Sequence, residues 1–347
     1  MNMAAPLLAL ELVAGTGHAR PGRTGGHDTL GVICYGRALA DDAADGVPCA
    51  VVAMPVLGGG ASVCEVWRSA DTTGGGRHGA VSYRQDDHLL FGCLRLEEGA
   101  LADGATPLRA AARDAYATIF AAADALGYPH LVRFWNYFPD INREVDGLER
   151  YRQFNIGRQE GFGAGGRALD ANLPAACALG TRDGPLVVAF LAARAAPIAV
   201  ENPRQVPAYD YPPEYGPRSP TFARASLLPC ADGEILLVSG TASIVGHRTL
   251  HVGDAAAQTA EAMENMRALI GAANRAGRAG GFALADLALK VYVREARDLA
   301  AIRGQIEAAP DAPRQVAFLE ADICRRDLLV EIEGTAHSRS AATAAAD

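Results

Sequence analysis

Two helical stretches, each bracketed by strand-like runs, constrain this chain more than any other feature of it. Across residues 107–125 alanines are interspersed with Arg109, Arg113, Tyr116, Ile119 and Phe120. Across 254–273, Thr259, Met263, Met266, Leu269, Ile270 and Ala273 recur at the spacing of a helix with one buried face. HLLFGCLRL precedes the first helix and LVRFWNYF follows it; EILLVSGTASI precedes the second and ALKVYVRE follows it. A strand, helix, strand unit is therefore predicted twice, once in each half. A third helix over 294–308 leads into strands over 315–322 and 327–333. The class this predicts is α+β, with helices packed on one face of mixed sheets. The boundary is placed near Glu201, in the Pro-rich passage ENPRQVPAYDYPPEYGPRSP. That gives residues 1–200 as one domain, 201–334 as a second, and an Ala/Ser/Thr-rich tail over 335–347 that is expected to be disordered.

Composition narrows the partners. Half of the 347 residues are hydrophobic, enough to fill two domain cores. The net charge of −8 argues against a nucleic acid or an anionic membrane and for a small-molecule partner. APLLALELVAG near the start lacks a basic leader, contains Glu11 and is too short to span a bilayer, so it reads as a strand. Seven cysteines lie scattered without CxxC spacing, which argues against a disulfide framework or a zinc site and fits a reducing cytoplasm.

Several motifs dissolve on inspection. GFGAGG, residues 161–166, satisfies GxGxxG but follows no βαβ strand and has no acidic residue suitably placed after it, so it reads as a flexible loop. Gly/Pro-rich breaks are also expected at 15–26, 58–60 and 74–79. His247 and His251 have the i, i+4 spacing of zinc ligands without the accompanying glutamate, and read as surface or core histidines. Met263 and Met266 read as core filler. No GxSxG, Walker or kinase pattern occurs.

Three clusters remain. RFWNYFPDINREVDGLERYRQFNIGRQEGF, residues 133–162, mixes aromatics, amides and arginines with neither helical nor strand period, and reads as site-building. Within it Tyr151, Arg152, Asn155, Arg158 and Gln159 offer donors suited to carboxylates; a salt-bridge web with Glu144, Asp146, Glu149 and Glu160 is equally open. Tyr209, Tyr211, Tyr215, Arg218 and Arg224 sit among prolines, as a second such cluster or as an interdomain linker. In CRRDLLVEIEG, Glu331 and Glu333 share one face of a strand. On an edge strand they would be solvated; lining a pocket, desolvation would make a general acid of one of them.

Together these clusters resemble the chorismatase family, from about Val81 to Gly334. RFWNYFPDIN, GLERYRQFNIGRQ, PPEYGPRSPTFARA, SGTASIVGH and CRRDLLVEIEG stand in the family's order. The resemblance implies two Rid-like (YjgF/chorismate-mutase-like) domains, the first diverged, and cleavage of chorismate to pyruvate and a ring acid with neither metal nor organic cofactor. Chorismate is a dianion, so two clamps are expected: Tyr151 with Arg158, and Tyr215 with Arg218, alongside Tyr209 and Gly240 as further substrate-binding residues. The family's acid falls on Glu331, with Glu333 the alternative. Gly240 in the SGTAS turn and Cys324 seven residues before the acid resemble the members that form 3-hydroxybenzoate, some with 4-hydroxybenzoate. Cys324 is accordingly expected to shape the pocket or assist ring opening, or else to be a small buried apolar residue. The hydrolytic branch, giving a dihydroxycyclohexadiene carboxylate, and a silent or imine-hydrolysing Rid-like protein are the alternatives. Because the duplication could satisfy within one chain the contacts that Rid-type trimers make between subunits, a monomer is expected.

Overall fold

A computed structural model describes residues 8–15, 28–36, 46–71, 73–99, 106–170, 172–230, 233–278 and 281–339. An N-terminal sheet comprises β1 (Leu8–Ala14), β2 (Asp28–Gly36), β3 (Cys49–Ala53) and β4 (Ser62–Ser69), in the order β1-β4-β2-β3. The first repeat contains β5 (Gly74–His78), β6 (Val81–Gln85), β7 (Leu89–Leu96), α1 (Pro107–Leu126), β8 (His130–Pro139), a hairpin of β9 (Glu144–Val145) and β10 (Leu148–Glu149), α2 (Arg150–Ala164), β11 (Ala175–Thr181) and β12 (Leu186–Ala193). Its sheet runs β11-β8-β12-β7-β6-β5. The second contains β13 (Ile198–Val200), β14 (Ala225–Cys230), β15 (Gly233–Ala242), a hairpin of β16 (Ile244–Val245) and β17 (Arg248–Thr249), α3 (Ala255–Ala276), β18 (Ala288–Val293), α4 (Leu299–Glu307), β19 (Gln315–Glu320) and β20 (Val330–Arg339). Its sheet runs β13-β14-β15-β20-β18-β19. Each repeat sheet holds one parallel pair, β8 with β11 and β18 with β19, so both are mixed and the fold is α+β as expected.

Side-chain alternation along the strands builds the layers. One face of the first repeat sheet packs on α1 and α2, and one face of the second packs on α3 and α4. The opposite faces meet each other and the N-terminal sheet in a shared core that includes Tyr35, Trp67, Trp135, Tyr137, Leu237 and Tyr292. The helices begin and end where their chemistry dictates. Pro107 occupies the first turn of α1, where a missing N–H is harmless, and Gly127 closes it at φ 81. The Asp254 carboxylate caps α3 by accepting from the Ala257 amide. The third predicted helix starts five residues late, at Leu299, after a short 3-10 turn.

Several expectations are corrected. Residues 150–164, expected to be aperiodic, form helix α2, and its last turns absorb most of GFGAGG. The helix shows no simple period because it buries polar and aromatic residues together: Arg150, Gln153, Asn155 and Arg158 alongside Phe154 and Phe162. Its glycines let it lie directly against α1. A Cβ on Gly157 would stand 1.9 Å from the Arg109 carbonyl oxygen, and one on Gly161 2.6 Å from Tyr116 Cβ. Gly74–His78, expected as a loop, is strand β5 paired with β6. The break at 58–60 is a loop of three left-handed glycines, whereas residues 16–27 lie outside the described residues. The tail expected to be disordered from residue 335 continues β20 as far as Arg339, because pairing with β15 persists to Gly233; residues 340–347 lie outside the described residues. β20 is flanked by β15 and β18 rather than lying at an edge, so Glu331 and Glu333 are only 4% and 3% exposed and the solvated reading fails. The cysteines form no framework but do form one bond, Cys34 to Cys64, directly opposite on β2 and β4; the other five form no disulfide.

The glycine stripe makes a direct prediction. Gly157→Val drives a branched side chain into the α1 backbone, and denaturant unfolding should show a loss of about 1–3 kcal/mol, whereas Gly163→Ala, where nothing lies within reach of a Cβ, should leave the midpoint unchanged.

Candidate active site

Where the two repeat sheets diverge at the end of their shared core, a cavity of about 420 Å³ opens. β20 supplies Glu331, β15 supplies Gly240, α2 supplies Tyr151 and Arg158, and the segment joining β19 to β20 supplies Cys324 and Arg325. A strap over residues 201–224, shaped by two 3-10 turns, adds Tyr211, Tyr215, Phe222 and Arg224. Two serines fix the strap, β14 and β15 against β11. Ser239 Oγ donates to the Ala223 carbonyl at 2.6 Å and accepts from the Ala176 amide at 2.9 Å; Ser226 Oγ accepts from the Ala175 amide at 2.9 Å.

Glu331 is seated by a β-bulge. The β15–β20 register slips between Val238 and Thr241, so Ser239 and Gly240 together oppose Glu333. Gly240 thereby comes so close to Glu331 that a Cβ there would stand 1.9 Å from Oε1. Cys324 Sγ lies 3.9 Å from the other carboxylate oxygen. Burial first, and then the neighbouring Glu333 carboxylate, push the Glu331 carboxyl up to about 8, against the opposing pull of Arg133 and Arg224. Burial, followed by the nearby Glu331, also holds the Cys324 thiol well above its ordinary value, so it stays protonated. Glu333 behaves oppositely. Burial alone would raise it, but Lys290 and Arg133 outweigh that and hold it below the ordinary carboxylate value.

Three guanidinium groups line the cavity with N–H groups that no protein atom accepts. Arg158, 2% exposed, lies over the rings of Tyr116 and Phe162, and its Nε and one terminal nitrogen are buried without partners. Arg224 donates to Tyr211 Oη at 2.8 Å and to the Val206 carbonyl at 2.9 Å, leaving Nε free. Arg325 stacks 4.1 Å over the Tyr215 ring and donates to the His247 carbonyl at 2.8 Å, leaving one terminal nitrogen free. Buried donors without acceptors are costly, and arginines held this way are suited to bound carboxylates.

Of the residues singled out in the sequence, Glu331, Cys324, Tyr151, Arg158, Tyr215 and Gly240 line this cavity. Tyr209 and Arg218 do not: Tyr209 packs against the α1/α2 core, and Arg218, beyond the Gly216 turn, is exposed. Arg325 and Arg224 stand where Arg218 was expected. Arg224 belonged to the recognised Tyr/Arg cluster, and Arg325 follows Cys324 directly; two adjacent arginines ahead of an apolar strand were the available signal. His247 lies at the rim, with Nδ1 3.2 Å from Tyr215 Oη, and His251 is exposed. Among the described residues no group of three or more His, Cys, Asp or Glu is placed to hold a metal ion, and no helix is long and apolar enough to cross a membrane.

Comparison with known proteins agrees with this geometry. Residues 65–192 match the family model described as chorismatase FkbO/Hyg5-like, N-terminal. The chain is 40% identical over 322 residues to a chorismatase of Streptomyces hygroscopicus, covering 90% of this chain and 91% of that one. It is 38% identical over 328 residues to a 3-hydroxybenzoate synthase of the same organism, covering 92% and 94%. A chorismatase crystal structure superimposes with a TM-score of 0.84 at 36% identity, covering 95% of this chain and 98% of that one.

The raised Glu331 carboxyl carries a stability consequence. Below pH about 4.5 the group is neutral in both folded and unfolded chains and exerts no effect. Between there and pH about 8 the unfolded chain gains from ionising while the folded chain does not, so stability falls and then levels off. Glu331→Gln should therefore leave the thermal midpoint unchanged at pH 4 and raise it at pH 8.5, where the gain in stability is on the order of 4 kcal/mol; equal midpoints at pH 8.5 would contradict a buried neutral carboxyl.

Proposed function

The chain belongs to the chorismatase family, and from that premise we propose that it splits chorismate into pyruvate and 3-hydroxybenzoate with Glu331 as general acid. One observation supports this above others: a single cavity holds a buried carboxyl raised to about 8 and three guanidinium groups with unaccepted N–H donors. That set matches a substrate with two carboxylates and one bond to be broken by protonation.

The chemistry follows from the placement. Arg158 from one wall, and Arg325 and Arg224 from the strap side, hold the two carboxylates, with Tyr151 and Tyr215 bordering them. Glu331 delivers its proton to the methylene carbon of the enolpyruvyl group. The resulting oxocarbenium ion makes pyruvate a good leaving group from the ring. The ring's C4 hydroxyl oxygen then displaces pyruvate and loses its proton, giving an arene oxide. Opening of that epoxide and loss of the ring proton yield the aromatic acid. Chorismate is thus divided into pyruvate and hydroxybenzoate without the atoms of water. Gly240 matters because it leaves room for the Glu331 carboxyl close against β15, and Cys324 because its thiol covers the carboxyl's other oxygen. The two repeats bury their inner faces against each other within one chain, which supports a monomer.

The primary test incubates the protein with chorismate in the absence of added metal, resolving the products by chromatography beside a pyruvate assay. Pyruvate with 3-hydroxybenzoate is expected; pyruvate with the diene diol would assign the hydrolytic branch instead, and absence of pyruvate would overturn the proposal. Glu331→Gln should lower kcat by about 10²- to 10⁴-fold, and wild-type kcat/KM should decline above pH about 8 as the acid loses its proton. Gly240→Ala forces the Glu331 carboxyl away from its seat. It should move the product mixture from hydroxybenzoate towards the diene diol, read by the same chromatography, and an unchanged mixture would remove Gly240 from product control.

A further inference from the structure

The N-terminal sheet contributes nothing to the cavity lining, yet two of its side chains reach the electrostatic surroundings of the acid. Glu65 on β4 and Tyr35 on β2 enter the shared core and meet Lys290 on β18: Lys290 Nζ lies 2.6 Å from Glu65 Oε2 and 2.6 Å from Tyr35 Oη. The same ammonium group lies 2.6 Å from Glu333 Oε1, and Arg133 on β8 bonds the other Glu333 oxygen. All four charged residues are at most 4% exposed. Formally two cations and two anions balance within the core, burial raising the Glu65 carboxyl and the Lys290 ammonium pulling it back, and Glu333 is only two positions from Glu331 on the same face of β20.

We propose that Glu65 is a positioning residue for the reaction: by sharing Lys290 it leaves Glu333 negative enough towards Glu331 to keep the acid protonated, while Lys290 and Arg133 pull the other way. The inference rests on reading Glu331 as that acid. The ionisable groups around Glu331 are Cys324 from the β19–β20 segment, Glu333 on its own strand, Arg133 from β8, Arg224 from the strap and Tyr151 from α2. Only Glu333 among the charged members is negative, and both cations that bond it belong to the core cluster. An additional negative charge on Glu331 would leave the buried set unbalanced. Without Glu65, Lys290 serves Glu333 alone, the cluster becomes net positive, and ionisation of Glu331 becomes easier. Without Arg133 the sign reverses.

The test is the position of the alkaline limb of the kcat/KM profile, which reports the free enzyme. Glu65→Gln should move the limb to lower pH by about one pH unit, so that a tenfold loss of activity develops earlier, while activity at pH 5.5 stays within about threefold of wild type. Tyr35→Phe removes a hydrogen bond without changing charge and should leave the limb in place. A Glu65→Gln limb that does not move, or moves upward, overturns the proposal, as does an equal displacement in Tyr35→Phe, which would mark a purely structural effect. Should Glu65→Gln fail to fold, Arg133→Gln decides the matter. Its limb should move to higher pH, and a static or lowered limb overturns the proposal. Full activity in Glu331→Gln would instead remove the reading of the acid itself, so the two failures are separable.

Discussion

The surroundings of Glu331 depend on a ring of buried polar contacts at the meeting point of three sheets. Lys290 joins Glu65 and Glu333; Glu65 accepts from Tyr35 Oη at 2.9 Å and Glu333 Oε1 accepts from Tyr292 Oη at 3.1 Å; between them Tyr137 Oη lies 2.8 Å from Tyr35 Oη and 3.1 Å from Tyr292 Oη and donates its one proton to one of the two. Burial holds all three phenols well above their ordinary range, so they serve as neutral hydrogen-bonding links between the charges. A charge moved into a core costs several kcal/mol unless its hydrogen-bonding capacity is met, and loss of one partner from such a pair costs about 3–5 kcal/mol. The ring therefore specifies one relative arrangement of β2, β4, β8, β18 and β20. Any slippage would leave a charge stranded in an apolar interior.

That arrangement sets where the cavity is and what its walls can do. With β20 fixed, period-two alternation points Val330 and Ile332 at the α3 side and Glu331 and Glu333 at the shared core. The bulge at Ser239 and Gly240 then bends β15 around Glu331, and Ser239 ties the bend to both the strap and β11. On the opposite wall, close packing of α2 on α1 is what seats Arg158: its guanidinium rests on Tyr116 of α1 and Phe162 of α2. Glycine acts on both walls through the absence of a side chain, letting a carboxyl approach a strand at one place and two helix backbones approach each other at the other.

The repeated helices and their flanking strands were legible because each alternates apolar and polar residues at the period of its own element. Helix α2 was not, because its buried face is as polar as its outer one: Gln153, Asn155 and Arg158 are as buried as Phe154. GFGAGG was misread for a related reason, since a glycine pattern looks alike whether it frees a loop or permits two helices to touch. Clusters local in sequence, such as the residues around Tyr151 and Glu331, could be picked out; the partnership of Glu65 with Lys290 could not, because it spans 225 positions. Its only trace was a charge between apolar neighbours in each of two strands, Glu65 in SVCEVWRS and Lys290 in ALKVYV. Arg218 is what the family resemblance implies for the second clamp, but a motif match does not say which way a side chain points, and the exposed Arg218 does not line the cavity.

The charges around Glu331 divide into those that are permanent and those that the substrate changes. Glu333, Arg133 and Lys290 are internal and remain as they are when a ligand arrives. Arg224, which favours the ionised form of Glu331, lies in the cavity with a free donor, as do Arg158 and Arg325. A dianion bound to these arginines neutralises them and brings its own negative charge into a dry space, and both effects disfavour ionisation of the carboxyl. In the proposed reaction, binding thus tightens the hold on the proton that Glu331 would deliver to the enol ether, and the buried ring favours the same neutral state before a ligand arrives.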